Sequence, residues 1–246
     1  MQIQELHFDS IDSTQLYAKR EVATFAPDRI TCVVADEQTE GHGRMQRKWI
    51  SPKGVNLYAT FCFRLPLKTP NLESLAIVMA HSFASLLLKE NLHPKIKWPN
   101  DVQLGGKKVA GVLSETIFEK DCTQIFLGIG INVNMDQNDL NKIDQPATSL
   151  KVQTHRMWNR VDLLHHLEEH FLRDLKLFQK EGFKPFHQKV SSLLAYQGET
   201  IYCFDGKKTW EGTLESIGLD GRLKLRMKDG TVLELFSADV SLNQPR

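Results

Sequence analysis

A Gly105-Gly106 pair stands between Asp101-Val102-Gln103-Leu104 and Lys107-Lys108-Val109-Ala110, and it commits the middle of the chain to a sheet. A two-residue hairpin needs positive φ angles at its centre, which glycine adopts without a Cβ penalty. Just upstream, Trp98-Pro99-Asn100-Asp101 reads as a rigid corner. Proline fixes its own φ and biases the residue before it towards extended backbone, while Asn and Asp can close a turn by bonding their own main chain. The strand after the glycines opens on two lysines, so a carboxylate and ammonium groups lie a few residues apart across a tight turn. Such a layout can hold an anionic ligand and present a carboxylate beside it. Taken alone, it also describes an ordinary surface hairpin.

Other segments narrow that choice. Gly41-His42-Gly43-Arg44-Met45-Gln46-Arg47-Lys48-Trp49 is a glycine-spaced basic loop. Its glycines let backbone approach a ligand closely, and Arg44, Arg47 and Lys48 supply donors for phosphate or carboxylate. It runs into Ser51-Pro52-Lys53-Gly54-Val55-Asn56-Leu57-Tyr58, a turn entering a strand. Further on, Gly128-Ile129-Gly130-Ile131-Asn132-Val133-Asn134 is a strand end broken by glycines, where backbone can pack beneath a ligand.

Together these segments resemble the catalytic domain of the biotin protein ligases. The family pattern is a GRGRRGRxW loop, then SPxGxNLY, then KWPNDxxxxxxKxxGxL, then a GxGINxN strand, and recognisable versions of all four occur here in that order. Ile11-Asp12-Ser13-Thr14-Gln15 is similar to the IDSTN motif at the start of that domain. The departures are His42, Met45 and Gln46, where the usual loop has Arg, Arg and Gly, and Gln15 in place of Asn.

The resemblance implies an α+β, class II synthetase-like fold and ATP-dependent attachment of biotin to a lysine of a biotin carboxyl carrier protein domain. A carboxylate is a poor electrophile. In this family ATP therefore converts biotin to biotinyl-5′-AMP with release of pyrophosphate, and the carrier lysine attacks the mixed anhydride. Joining two anions calls for positioning, positive charge and Mg²⁺. Lys108 matches the family's invariant lysine, with the biotin carboxylate and the α-phosphate as its partners. Arg44 matches the second loop arginine, facing ligand and phosphates, and Arg47 and Lys48 assist the triphosphate. Trp49 offers adenine an aromatic face, Asn132 suits the adenylate or its ribose, and Asn100 locks the turn beside the nucleotide. A carrier lysine is almost wholly protonated at neutral pH, so Asp101 either orients it and helps take its proton or holds Mg²⁺; the sequence leaves both open. Ser13, Thr14, Gln15 and Gln38 face the ureido ring of biotin, with His42 and Gly43 beside them and Gly111 and Val112 as a flat apolar wall. An imidazole at position 42 carries less positive charge than a guanidinium, which predicts weaker adenylate retention. The loop from Gln38 to Lys48 is expected to be mobile when empty and to close over the adenylate, excluding water.

Composition sets bounds on the rest. In 246 residues, 41% hydrophobic and 25% charged, one sizeable domain and one small one are expected. A net charge of +1 gives no electrostatic case for a nucleic-acid or membrane partner. No stretch reads as approaching the roughly 18 apolar residues of a membrane span, and Met1-Gln2-Ile3-Gln4-Glu5 has no signal-peptide core. Cys32, Cys62, Cys122 and Cys203 lack CxxC spacing and read as reduced thiols of a cytoplasmic protein.

Periodicity predicts a helix capped by Asp12 or Ser13 and running to about Val22, strands over 30–35 and 55–63, and a core helix through Leu72, Leu75, Met79, Phe83 and Leu87. More strands follow over 96–98, 109–118 and 124–132, then a helix through Leu164, Phe171 and Phe178. Helices on one face of a mixed, largely antiparallel sheet result. Residues 1–194 form this catalytic domain. In 195–246, Asp205-Gly206, Asp220-Gly221 and Asp229-Gly230 separate short apolar runs, a hairpin signature that predicts a small β-barrel, SH3-like by the resemblance. The Ile-Asp-Ser-Thr motif begins so early that a DNA-binding helix-turn-helix ahead of it is not expected, as in ligase-only members. His165, His166 and His170 crowd one helix; His166 and His170 have a zinc-compatible spacing but no His-Glu-x-x-His pattern, so a solvated face is expected. Rival readings are a lipoate or octanoate ligase of the same fold, a non-catalytic biotin-binding regulator, and a nucleic-acid binder. Monomer and homodimer are equally compatible with the sequence.

Overall fold

A computed structural model describes residues 2–244. Seven strands, β1 (Ile3–Phe8), β2 (Ile30–Ala35), β3 (Leu57–Leu65), β4 (Pro94–Lys97), β5 (Asp101–Leu104), β6 (Lys107–Phe118) and β7 (Thr123–Ile131), form one sheet in the order β1-β2-β3-β7-β6-β5-β4. Only β1 and β2 run parallel; the other pairs are antiparallel. The sheet is therefore mixed and largely antiparallel, as expected.

The first helix, α1 (Thr14–Glu21), starts where Ser13 Oγ accepts from the Gln15 amide, so Ser13 is the cap and not Asp12. It packs Ala18 on Val33, Cys62 and Phe126, on the sheet face opposite the main core. That core lies between the other face and two long helices, α2 (Leu75–Lys89) and α5 (Arg160–Glu181). The α5 helix begins where the Asn159 side chain accepts from Val161 and Asp162 amides, and it stops at Gly182, whose φ of 64° suits only glycine well. Short helices α3 (Gln137–Leu140), α4 (Leu150–Thr154) and α6 (His187–Leu193) carry the chain between these parts.

Two expectations need correcting. The segment Leu72–Lys89 does have the length and apolarity of a membrane span, with mean hydropathy 1.4 over 18 residues, but 72% of it is buried in this core. The histidines do not share a solvated face either: His165 and His166 are exposed, whereas His170 is buried beside Arg173.

The second sheet contains β8 (Thr200–Phe204), β9 (Thr209–Ile217), β10 (Leu223–Arg226), β11 (Val232–Leu235) and β12 (Asp239–Ser241), antiparallel in the order β11-β10-β9-β8-β12. Each Asp-Gly pair makes a turn between consecutive strands, with the aspartate side chain accepting from amides just beyond it. The two sheets share one apolar core, and Trp98, fully enclosed, donates its Nε1 hydrogen to Gly221 O at 2.9 Å. The Trp98 corner thus pins the C-terminal sheet against the mouth of the first.

Candidate active site

Strand pleating creates the floor. Register pairs Tyr58 with Gly130 and Thr60 with Gly128 across β3 and β7, and Gly111 with Gly130 and Leu113 with Gly128 across β7 and β6. These residues share the face away from α2 and α5. Three of them are glycines, so the sheet carries a shallow depression there. A cavity of about 370 Å³ opens over it.

The Trp49 indole lies against this floor. A Cβ on Gly130 would stand 2.5 Å from Trp49 Cε2, and one on Gly111 would stand 3.1 Å from Trp49 Cζ3 and 2.8 Å from Lys108 Cε. Only glycine permits that approach. The Lys108 ammonium is 5.2 Å from the centre of the indole and 2.7 Å from Asp101 Oδ1.

A β-bulge brings Lys108 to this side. The β5–β6 register shifts so that Gln103 faces Lys108 but Val102 faces Ala110, leaving Val109 without a partner. Val109 and Ala110 are consequently both buried, and Lys108 shares a face with Gly111, three positions away, which strict alternation would forbid. The Gly105-Gly106 turn just before, with φ of 56° and 74°, has the expected hairpin form. The Asn100 side chain does not close its own turn: Nδ2 donates to Val112 O at 2.6 Å, tying the corner to β6.

The basic loop is a small hairpin, with Gly43 N donating to Arg47 O and Trp49 N to Gly41 O. Met45 and Gln46 take left-handed φ of 54° and 57° at its tip. The second of these positions is the one where the resembled pattern has glycine. Arg44 points across the cavity mouth to the C-terminal sheet. Its Nη2 donates to Ser237 Oγ at 2.9 Å, its Nη1 donates to Ala238 O at 3.2 Å, and Asp239 Oδ1 is 3.5 Å away. Arg47 also pairs with Asp239. Burial lowers the Arg44 guanidinium from its ordinary value, against the upward pull of Asp239 and Asp101.

At the other end, buried polar groups interlock. Gln38 Oε1 accepts from the Thr14 amide at 2.9 Å and from Thr14 Oγ1 at 3.1 Å, while Gln38 Nε2 donates to Ser51 Oγ. Thr60 Oγ1 reaches Thr14 Oγ1 at 2.9 Å and Gln15 Oε1 at 3.1 Å.

Nearly every residue singled out in the sequence lines this one cavity: Ser13, Thr14, Gln15, Gln38, His42, Gly43, Arg44, Arg47, Lys48, Trp49, Asn100, Asp101, Lys108, Gly111 and Val112. Asn132 does not. It is buried behind the floor, and its Nδ2 donates to Thr148 O, so its amide braces the segment leading to α4. The lining also includes residues given no role from the sequence, among them Thr60, Lys97 (inside the Lys-Trp-Pro-Asn-Asp motif) and, from the C-terminal sheet, Phe204 and Asp239. Thr60 is a polar residue in an apolar strand, and Lys97 opens the Lys-Trp-Pro-Asn-Asp corner; those were the available signals. Asp239 had none.

The family model described as "Biotin/lipoate A/B protein ligase family" matches residues 7–132. The chain belongs to this family. Among curated proteins, the bifunctional ligase/repressor BirA of Bacillus spizizenii is 32% identical over 242 residues, covering 96% of this chain and 73% of that protein. The biotin–[acetyl-CoA-carboxylase] ligase of Paracoccus denitrificans is 30% identical over 200 residues, covering 79% and 83%. Among solved structures, the biotin protein ligase of Aquifex aeolicus in complex with biotin and ATP superposes with a TM-score of 0.82 at 33% identity, over 97% of each chain. Within the biotin/lipoate ligase family this chain therefore has the same arrangement of both sheets along nearly its whole length.

Proposed function

We propose that this chain is an ATP-dependent biotin protein ligase, which activates biotin as biotinyl-5′-AMP and transfers it to a lysine of a biotin carboxyl carrier protein domain. The observation that carries the reading is the meeting, in one cavity, of a glycine-floored slot with Lys108, Asp101 and the loop arginines. With the Trp49 indole resting on Gly130 and Gly111, the apolar ring and chain of biotin take the rest of the cavity, and its cationic end suits the place where a carboxylate must approach a phosphate.

In the first half-reaction a biotin carboxylate oxygen bonds to the α-phosphorus, the bond to the β-phosphate's bridging oxygen breaks, and pyrophosphate departs with the electron pair. Lys108 is a fixed positive charge between the two anions, so it offsets their repulsion and stabilises the charge that builds in the transition state. The Trp49 indole supplies a face for adenine. In the second half-reaction a carrier lysine nitrogen attacks the activated carbonyl carbon and AMP leaves. Asp101, buried at the mouth, orients that lysine and helps take its proton.

Mg²⁺ accompanies the nucleotide as MgATP. Among the described residues no cluster of three or more His, Cys, Asp or Glu side chains could cage a metal, and Asp101 already has one oxygen on Lys108. This fits an ion carried mainly by phosphate oxygens, with Asp101 as a single protein ligand at most. Mg²⁺ supplies charge neutralisation on the phosphates.

In this reading residues 1–194 are the catalytic domain and 195–246 a C-terminal domain that completes the nucleotide mouth. The four cysteines are free thiols, three of them buried, in keeping with a cytoplasmic protein. Incubating the chain with biotin, MgATP and a carrier domain should release pyrophosphate and add one biotin to the carrier by mass spectrometry. Modification by lipoate in preference to biotin, when both compete, would reassign the substrate.

A further inference from the structure

Each cation at the cavity except two already has a carboxylate partner. Lys108 holds Asp101, and Arg44 and Arg47 hold Asp239. Lys48 is exposed and solvated. Lys97 is the other, and it is half-buried: it lines the cavity at the end of β4, in register with Asp101 on β5, and no ion pair or side-chain hydrogen bond is formed by its ammonium among the described residues. A cation withdrawn from water without a counter-charge is costly. It is kept where a bound anion supplies the missing partner.

We propose that Lys97 binds the β- and γ-phosphates of the nucleotide and receives the pyrophosphate that leaves. This rests on the ligase reading for its chemistry and adds a residue to it. Lys97 shares the cavity with Asp101, Lys108, Asp239 and Arg47, close enough for each to act on its charge. Burial lowers its ammonium from the ordinary value, while Asp101 and Asp239 pull it up and Lys108 and Arg47 push it down. When the bond between the α-phosphorus and the bridging oxygen breaks, the electron pair goes to the departing pyrophosphate. An ammonium beside that group stabilises it without giving up a proton.

The test is calorimetric titration of the whole chain with inorganic pyrophosphate, for wild type, Lys97→Met and Lys97→Arg, alongside biotin affinity measured without nucleotide. Lys97→Met should weaken pyrophosphate binding by about tenfold to a hundredfold, the loss of one charge-assisted hydrogen bond. Lys97→Arg should recover most of it, and biotin affinity should stay the same in all three. Equal pyrophosphate affinity in wild type and Lys97→Met, no binding by wild type, or a parallel fall in biotin affinity would overturn the assignment. If pyrophosphate binds through Lys97 but wild type releases none from ATP with biotin present, the ligase reading fails while the assignment of Lys97 stands.

Discussion

Lys108 Nζ is 2.7 Å from Asp101 Oδ1, with both side chains largely enclosed. The pair holds a positive charge and a carboxylate at one point of the cavity, and under the proposed function the two half-reactions use them differently. Lys108→Ala should lower pyrophosphate release by about a hundredfold to a thousandfold, the usual loss when one fixed donor to a transition-state charge is removed. Asp101→Asn should slow transfer from adenylate to carrier more than it slows adenylate formation. Single-turnover measurement of each step separates them, and equal losses in both steps for Asp101→Asn would contradict its role with the acceptor lysine.

Gly130 tests the floor. Adding a methyl group there sets a Cβ 2.5 Å from the Trp49 ring, so the indole must shift. Gly130→Ala should cost about 1–3 kcal/mol if the ring is trapped, with altered tryptophan emission and weaker ATP binding. An unchanged emission spectrum together with an unchanged KM for ATP would mean that Trp49 is not held against this strand.

Asp239 pairs with Arg44 and Arg47, the two loop arginines proposed to meet phosphate. Asp239→Asn removes a negative charge from the mouth and should lower the KM for ATP by about fivefold, the equivalent of roughly 1 kcal/mol for a partly exposed pair. The change should shrink as salt is added. A rise in KM would indicate that the carboxylate positions the arginines and does not merely occupy them.

Glu168, on α5, carries a pH dependence unrelated to catalysis. Burial, and then the Glu5 carboxylate, raise its carboxyl from 4.5 to about 7. The folded chain therefore holds this proton more tightly than the unfolded chain does. The associated stability is fully present below the unfolded value and is lost as pH rises through the folded one, amounting to about 3 kcal/mol. Glu168→Gln mimics the protonated acid and should raise Tm at pH 8 while leaving it nearly unchanged at pH 4. A uniform shift at both pH values would show that the carboxyl is not the cause.

Much of this architecture is legible in the residues because the signals are local. Gly105-Gly106 and the three Asp-Gly pairs make the hairpins expected of them, since positive φ is a property of the residue itself. The spacing of Leu75, Met79 and Phe83 marks α2 for the same reason. Strand β1 and the short helices were not anticipated, because β1 is too half-buried to alternate cleanly and the helices are too short to show a period. Asn132 was expected at the ligand and instead braces Thr148, since a glycine-broken strand end does not reveal which way its next side chain turns.

The chemical inventory and its order are written in the residues: the basic glycine loop, the corner with Asp101, the lysine after the hairpin and the glycines of the floor. Which of these meet follows from long-range packing. A bulge at Val109 turned Lys108 towards Gly111, and the packing of Trp98 on Gly221 brought Asp239 to the loop arginines from the far end of the chain. Residue type and spacing fix what a segment can donate, accept or bend. Which face a side chain takes beyond a bulge, and which distant strand closes the mouth, depend on register and core packing summed over the whole fold.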